Sequence, residues 1–222
     1  TTIDFREKAP LKATSDMFLD ASGNLPEGID LRGRESTVNH IGLKSVGVPG
    51  TVAGLYLAHQ KYGRLPWKDL VQPAIDLAAK GFELSWSLYN AAKSFDQNSN
   101  IPFLKNYFRG ENGELVEFGE LWKQPELATT LMAIRDHGKD GFYKGKVAKE
   151  IASFMKDNGG IITKKDLQKY EAIERKPLEG TYKDYTIYSM PPPSSGGVAL
   201  IEMLNLMELA NLDSIPFNST AV

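Results

Sequence analysis

The sequence contains no cysteine and only three histidines, and both shortages exclude kinds of chemistry. Without cysteine there is no disulfide, no thiolate zinc site and no cysteine nucleophile, although the redox compartment stays open. The histidines His40, His59 and His137 are far apart in the sequence and lack the spacing of metal ligands. We therefore predict no metal site and no cofactor.

The chain also lacks an excess of charge of either sign. Its 26 basic and 28 acidic residues give a formal net charge of -2, so the electrostatic footprint of a nucleic-acid-binding protein is absent. No apolar run reaches the length needed to cross a bilayer, and we predict no membrane span in this segment. The expected partners are small molecules or proteins.

An initiator methionine is missing, because the first residue is Thr1. The last residue, Val222, follows a turn-like segment at residues 216–220. We expect the chain to be a piece of a longer protein, so the lack of a signal peptide carries no information about secretion.

Enough apolar residues are present to build a core. They make up 41% of the 222 residues, and we predict a single domain over residues 1–222. Apolar residues recur at helical spacing, most clearly over 147–155. Pro73 and Pro125 are predicted to begin helices, and residues 43–49 to form a strand. Thr163 with Asp166 predicts a capping-box-like start to a short helix. The predicted fold class is α+β, mainly helical.

The most distinctive stretch surrounds a triple proline. Residues 176–182 and 185–190 favour strands, residues 191–197 read Pro-Pro-Pro-Ser-Ser-Gly-Gly, and helical spacing follows. We predict a strand, a rigid corner and a helix, because proline offers a sheet no donors and serine can cap a helix. Gly196 and Gly197 permit another backbone to approach closely. We interpret this corner as scaffold.

Two positions are candidates for a nucleophile, and the sequence supports each of them only weakly. Ser194 or Ser195 precedes glycine, but a nucleophile elbow needs glycine on both sides of the serine, and Pro193 precedes Ser194. Thr1 is the second candidate, since a free N-terminal threonine can act as nucleophile and base. Against it, Thr1 leads directly into a strand-like segment, and the chain end is explained equally well as a cut.

Arg6 is the candidate for binding a carboxylate. A guanidinium binds a carboxylate through two parallel hydrogen bonds, and Arg6 follows a short strand-like start and precedes the break at Pro10. The alternative is a surface arginine beside Asp4 and Glu7. The residues alone leave both interpretations open.

Seven motifs occur in one order along the chain and together carry a family resemblance. They are Asp4-Phe-Arg-Glu-Lys-Ala-Pro10, Met17-Phe-Leu-Asp20, Gly47-Val-Pro-Gly-Thr-Val-Ala-Gly54, Gln72-Pro-Ala74, Phe142-Tyr-Lys-Gly145, Asn158-Gly-Gly-Ile-Ile-Thr163 and Met190-Pro-Pro-Pro-Ser-Ser-Gly-Gly197. Together they resemble the large subunit of γ-glutamyltranspeptidase over essentially the whole chain. The first, third and last motifs are the specific ones.

The resemblance implies an N-terminal-nucleophile hydrolase whose precursor cleaves itself into two subunits that pack as a four-layer αββα sandwich. In that family a threonine at the start of the small subunit attacks the γ-glutamyl amide of glutathione. The resulting acyl-enzyme passes the γ-glutamyl group to water, an amino acid or a peptide. Arg6 matches the arginine that binds the α-carboxylate of that group. The resemblance also implies the small subunit as a partner, and a periplasmic or extracellular location.

Parts of the family pattern are missing from the sequence. The glycine-rich segment before Arg6, the end of the large subunit and the whole small subunit are absent, and Thr1 matches an internal position. We therefore expect no catalytic residue in this chain and predict that it is inactive alone. Two alternatives stay open: a related acylase acting on β-lactam side chains or poly-γ-glutamate, and a non-enzymatic helical binding module.

Overall fold

The computed structural model describes residues 1–29, 35–40, 42–98, 107–110 and 112–210. The chain divides into two compact units. The terminal unit combines Thr1–Phe5 with Ala172–Val222, and the central unit consists of Arg6–Glu171. The single domain that we predict over residues 1–222 stays a prediction.

The described residues form eight strands and eight helices, and most of the helices are longer than any of the strands. The strands are β1 (Thr2–Asp4), β2 (Glu27–Ile29), β3 (Glu35–Thr37), β4 (Phe82–Glu83), β5 (Leu121–Trp122), β6 (Ile173–Arg175), β7 (Leu178–Tyr182) and β8 (Tyr185–Ser189). The helices are α1 (Thr51–Tyr62), α2 (Trp67–Lys80), α3 (Trp86–Asn98), α4 (Pro125–His137), α5 (Asp140–Tyr143), α6 (Gly145–Asp157), α7 (Lys164–Gln168) and α8 (Gly196–Leu209). About 46% of the described residues are helical, which agrees with a mainly helical α+β fold.

The strands of the described residues form four antiparallel pairs. β1 pairs with β6, β2 with β3, β4 with β5, and β7 with β8. β7 and β8 are the two strands predicted over residues 176–182 and 185–190, and they pair as a hairpin in which Leu178 lies opposite Ser189 and Tyr182 opposite Tyr185. Among the described helices, none is long and apolar enough to cross a membrane.

The prediction that a helix begins at Pro73 is wrong. α2 begins at Trp67, and Pro73 lies inside it. The indole N–H of Trp67 donates to the carbonyl oxygen of Ile134 at 2.9 Å, Ile75 and Ala78 are buried, and α2 packs against α4. This packing offsets the backbone hydrogen bond that the proline nitrogen cannot donate. In contrast, α4 begins at its proline, as predicted.

The strand predicted over residues 43–49 is not formed. Ser45 donates both its backbone N–H and its hydroxyl to the carbonyl oxygen of Gly42, at 3.1 and 2.8 Å, and the chain turns there. Such local hydrogen bonds compete with a sheet ladder. Only Val48 pairs, in an isolated bridge with Lys8.

A cluster of aromatic and aliphatic side chains forms one core of the central unit. Leu84, Val116 and Trp122 are buried at its centre. The ring of Phe108 lies 4.8 Å from that of Trp122, and Phe82 meets the same indole edge-on at 5.7 Å. These contacts fix the β4–β5 pair against the segments around it.

The proline corner in the terminal unit has the predicted order of elements. β8 ends at Ser189 and α8 begins at Gly196. The N-cap residue, Ser195, makes no side-chain capping hydrogen bond. Gly197 is the point of close approach, because a Cβ atom there would lie 2.2 Å from the carbonyl oxygen of Met190, whereas at Gly196 the nearest atom would be 3.7 Å away.

We predict that Gly197→Ala destabilises the chain and that Gly196→Ala does not. The added methyl group at residue 197 has to displace the backbone of Met190, and overpacking of this kind costs about 1–3 kcal/mol. At residue 196 alanine has open space and favours the helix, so the expected change is between zero and about 1 kcal/mol of stabilisation. Thermal unfolding of both variants measures the difference, and equal melting temperatures would contradict the close approach.

Candidate functional site

Arg6 is the first residue of the central unit. Its Nη2 donates to Glu7 Oε1 at 3.5 Å, and the two side chains are 55% and 60% exposed. An exposed ion pair contributes little to stability, so the pair does not prevent Arg6 from meeting a ligand. The carboxylate of Asp4 accepts a hydrogen bond from Arg175 Nε at 2.8 Å. The role of Arg6 in carboxylate binding stays a prediction.

The backbone around Arg6 is held at three points, in contrast to its exposed side chain. We call residues 6–10 the Arg6 segment. The carbonyl oxygen of Arg6 accepts a hydrogen bond from the Tyr170 hydroxyl at 2.7 Å. Lys8 donates its N–H to Val48 at 3.2 Å and accepts one from it at 2.8 Å. The ammonium of Lys8 donates to the carbonyl oxygen of Glu171 at 2.8 Å.

Tyr143 connects the support of this segment to the start of α1. Its ring stacks on that of Tyr170, with centroids 5.5 Å apart and planes at 8°. Its hydroxyl donates to the carbonyl oxygen of Pro49 at 2.7 Å and accepts from the N–H of Ala53 at 3.3 Å. Burial raises the pKa of Tyr143 to about 12, so the hydroxyl remains a donor at physiological pH.

Gly47 allows Glu7 to lie close to the backbone that leads into α1. A Cβ atom at residue 47 would come within 2.8 Å of both Cβ and Cγ of Glu7. Real side chains do not approach so closely, so a larger residue would displace Glu7. Because Glu7 is the ion-pair partner of Arg6, the absence of a side chain at residue 47 affects the surroundings of the guanidinium.

Asp166 joins Leu11, the residue directly after the Arg6 segment, to α7. Its carboxylate accepts hydrogen bonds from the N–H of Leu11 at 2.6 Å, the N–H of Thr163 at 2.6 Å and the Thr163 hydroxyl. Together with the bond from its own N–H to Thr163, these contacts complete the predicted capping box. Burial of Asp166 raises the pKa of its carboxyl, but the hydrogen bonds outweigh burial, and the net pKa lies below the usual value.

The other candidate residues from the sequence have contacts within their own units. The hydroxyl of Thr1 donates to the carbonyl oxygen of Arg175 at 3.3 Å, within the terminal unit. Ser194 and Ser195 lie at the proline corner of the same unit. His59 packs its ring against Trp67, with centroids 5.2 Å apart, and its Nε2 contacts the carbonyl oxygen of Leu65 at 2.8 Å. These contacts are structural.

The sequence did not identify the two tyrosines that support the backbone at Arg6. Tyr143 and Tyr170 are 3% and 4% exposed, and a buried tyrosine hydroxyl generally needs a partner. The rule predicts that the hydroxyl of a buried tyrosine has a hydrogen-bond partner. The sequence, however, holds nine tyrosines and does not show which of them are buried. The only signal for Tyr143 was its place in the motif at residues 142–145.

The chain is similar in sequence to known proteins over almost its whole length. A family model described as Gamma-glutamyltranspeptidase matches residues 1–222. The glutathione hydrolase proenzyme of Escherichia coli (strain K12) is 43% identical over 226 residues, which covers 99% of this chain and 36% of that protein. The chain therefore spans about a third of the length of the curated relatives it matches.

Solved structures resemble the chain over nearly its whole length. The γ-glutamyltranspeptidase of Helicobacter pylori superimposes with a TM-score of 0.89 and 42% identity, covering 98% of this chain and 60% of that one. The cephalosporin acylase of Bacillus halodurans superimposes with a TM-score of 0.78 and 26% identity, covering 93% of this chain and 37% of that one.

We predict that Asp166→Asn lowers stability by about 1.5–3 kcal/mol at neutral pH, the range for hydrogen bonds to a charged group. Because folding lowers the pKa of Asp166, the stability from its ionised form is present above the unfolded pKa of about 3.9 and is lost as pH falls through the folded pKa. The difference between wild type and variant should therefore shrink in acid.

Chemical denaturation from pH 7 down to pH 3 measures this difference. Asp157→Asn is the matched control, since Asp157 is an exposed aspartate on α6, and it should have little effect. A difference between wild type and Asp166→Asn that stayed constant across this range would contradict the lowered pKa.

Proposed function

Because the chain belongs to the gamma-glutamyltranspeptidase family, we propose that it forms part of the large subunit of an enzyme that cleaves the γ-glutamyl amide of glutathione. The resemblance that the motifs predict is confirmed by this membership. The proposed enzyme transfers the γ-glutamyl group to water, an amino acid or a peptide through an acyl-enzyme. Its nucleophile is a threonine of the small subunit, outside this chain.

In this proposal, Arg6 binds the α-carboxylate of the γ-glutamyl group. The observation that supports it most directly is the combination of a half-exposed guanidinium with a backbone held by Tyr170 and by the Lys8–Val48 bridge. A ligand-binding arginine has to remain within reach of solvent while its Cα–Cβ bond keeps one direction. The charge of Arg6 complements a carboxylate, and its planar fork allows bidentate binding.

The rest of the precursor is the proposed partner of this chain. The relatives in Escherichia coli and Bacillus subtilis are named as proenzymes, which supports a cleaved precursor. α8 supports a packing partner, because its apolar residues Met203, Leu206 and Leu209 are 54%, 65% and 84% exposed. We propose that both parts build an αββα sandwich, and that the mature protein is periplasmic or extracellular, as the family resemblance implies.

An acylase is the second candidate function. Its support is the likeness to the cephalosporin acylase, with a TM-score of 0.78, and a relative at 35% identity named as an acylase proenzyme. The ratio of kcat/KM for a γ-glutamyl anilide and for a cephalosporin with an acyl side chain separates the two functions. A ratio in favour of the cephalosporin would select the acylase.

We predict that Arg6→Ala in the full-length processed protein weakens use of the γ-glutamyl donor by about 2–5 kcal/mol, mainly as a higher KM, because a substrate carboxylate loses its charged partner. Arg6→Lys should recover little, since an ammonium cannot reproduce the fork. Steady-state kinetics with a γ-glutamyl anilide measures both. Arg64→Ala, at an exposed position, is the control and should behave as wild type. Unchanged kinetics in Arg6→Ala would refute the role of Arg6.

We predict that residues 1–222, purified alone, release no product from a γ-glutamyl anilide, because the proposed nucleophile lies outside this chain. The full-length processed protein, assayed in parallel, should be active. Activity of the isolated chain that disappears when the amino group of Thr1 is chemically blocked would overturn the prediction and make Thr1 the nucleophile.

A further inference from the structure

The hydroxyl of Tyr170 makes a direct polar contact with the backbone of Arg6. It donates to the carbonyl oxygen of Arg6 at 2.7 Å, across 164 positions of sequence. Tyr170 is 4% exposed, so water has little access to its side chain. A hydrogen bond in such surroundings has few competitors, and an unpaired carbonyl there is costly.

The ring of Tyr170 is itself held in place by its neighbours. The Tyr143 ring stacks on it at 5.5 Å, and the Lys8 ammonium lies 5.0 Å from its centroid. Tyr143 is fixed in turn by its two hydrogen bonds to the backbone at Pro49 and Ala53. The hydroxyl of Tyr170 therefore stands at the end of a rigid stack rather than on a free side chain.

The Arg6 carbonyl and the Lys8–Val48 bridge together constrain the backbone on the C-terminal side of Arg6. The carbonyl fixes the peptide plane between Arg6 and Glu7, and the bridge fixes Lys8 two residues later. With that plane fixed, the Cα–Cβ bond of Arg6 can change direction only by rotation about the Cα–C bond, and sterics allow few values of that rotation. Glu7 lies between these two anchors.

We infer that Tyr170 is a positioning residue that directs the Arg6 guanidinium toward the substrate carboxylate, acting through the Arg6 carbonyl. This inference rests on the proposed function of Arg6 and goes beyond it by naming the group that gives Arg6 its direction. Tyr170 does not touch the substrate. Its loss should therefore affect only donors that carry the carboxylate which Arg6 binds.

The test uses Tyr170→Phe in the full-length processed protein with two donors. One is γ-glutamyl-4-nitroanilide, and the other is 4-aminobutanoyl-4-nitroanilide, which is the same molecule without the α-carboxylate. Tyr170→Phe keeps the stacked ring and removes only the hydroxyl. We expect KM for the first donor to rise about fivefold, the equivalent of one lost hydrogen bond, with kcat within twofold. We expect kcat/KM for the second donor to stay unchanged.

Gly197→Ala is the control for a general loss of stability. It displaces the backbone of Met190 within the terminal unit and leaves Tyr170 and Tyr143 intact. Both variants should lower the melting temperature. Only Tyr170→Phe should reduce the preference for the donor with the carboxylate. An equal loss of preference in the two variants would show that a general loss of stability is responsible, and would overturn the inference.

A double-mutant cycle with Arg6→Ala separates the inference from the function on which it rests. If Tyr170 acts through Arg6, Tyr170→Phe should have no further effect on KM once Arg6 is alanine. A fivefold rise that persists in the Arg6→Ala background would overturn the positioning role and leave the Arg6 proposal intact. If Arg6→Ala alone left the preference between the two donors unchanged, the proposed function of Arg6 would fail, and the inference with it.

Discussion

The backbone bridge between Lys8 and Val48 is the contact on which the candidate site depends. Its two hydrogen bonds, at 2.8 and 3.2 Å, join the Arg6 segment to the residues that lead into α1. The segment after Arg6 contains no helix and no further strand, so it depends on contacts of this kind to keep its conformation. The bridge also brings Glu7 against Gly47, so one short pairing fixes both the backbone beyond Arg6 and the neighbour of its guanidinium.

The site combines an immobile backbone with a side chain that keeps its freedom. The hydroxyl of Tyr170 and the bridge at Lys8 hold the peptide planes, while the Arg6 side chain remains 55% exposed. A long side chain loses conformational entropy when it binds, and a backbone that is already held reduces the part of that loss which comes from the main chain. The planar guanidinium then provides selectivity for a carboxylate. The position of the guanidinium is set by residues that do not contact the ligand.

Features set by neighbouring residues could be predicted from the sequence, whereas features set by distant contacts could not. The capping box of Thr163 and Asp166 and the start of α4 at Pro125 depend on a few consecutive positions, and both were predicted correctly. Pro73 was misjudged, because packing against α4 extends α2 through it. Tyr170 was missed as part of the site, because its partners are remote in sequence. Arg6 was selected by its motif, since its residue type alone allowed an ordinary surface arginine.

Because Gly47 has no side chain, a substitution at this position would change the surroundings of the Arg6–Glu7 ion pair without replacing either charged residue. Any side chain added there meets the stem of Glu7 at 2.8 Å, so Glu7 has to shift. A shift that separates its carboxylate from Arg6 weakens their ion pair, and Glu7 then competes less with an incoming anion for the guanidinium. Substitution of this glycine, in the turn that precedes α1, is therefore a way to tune anion affinity at Arg6.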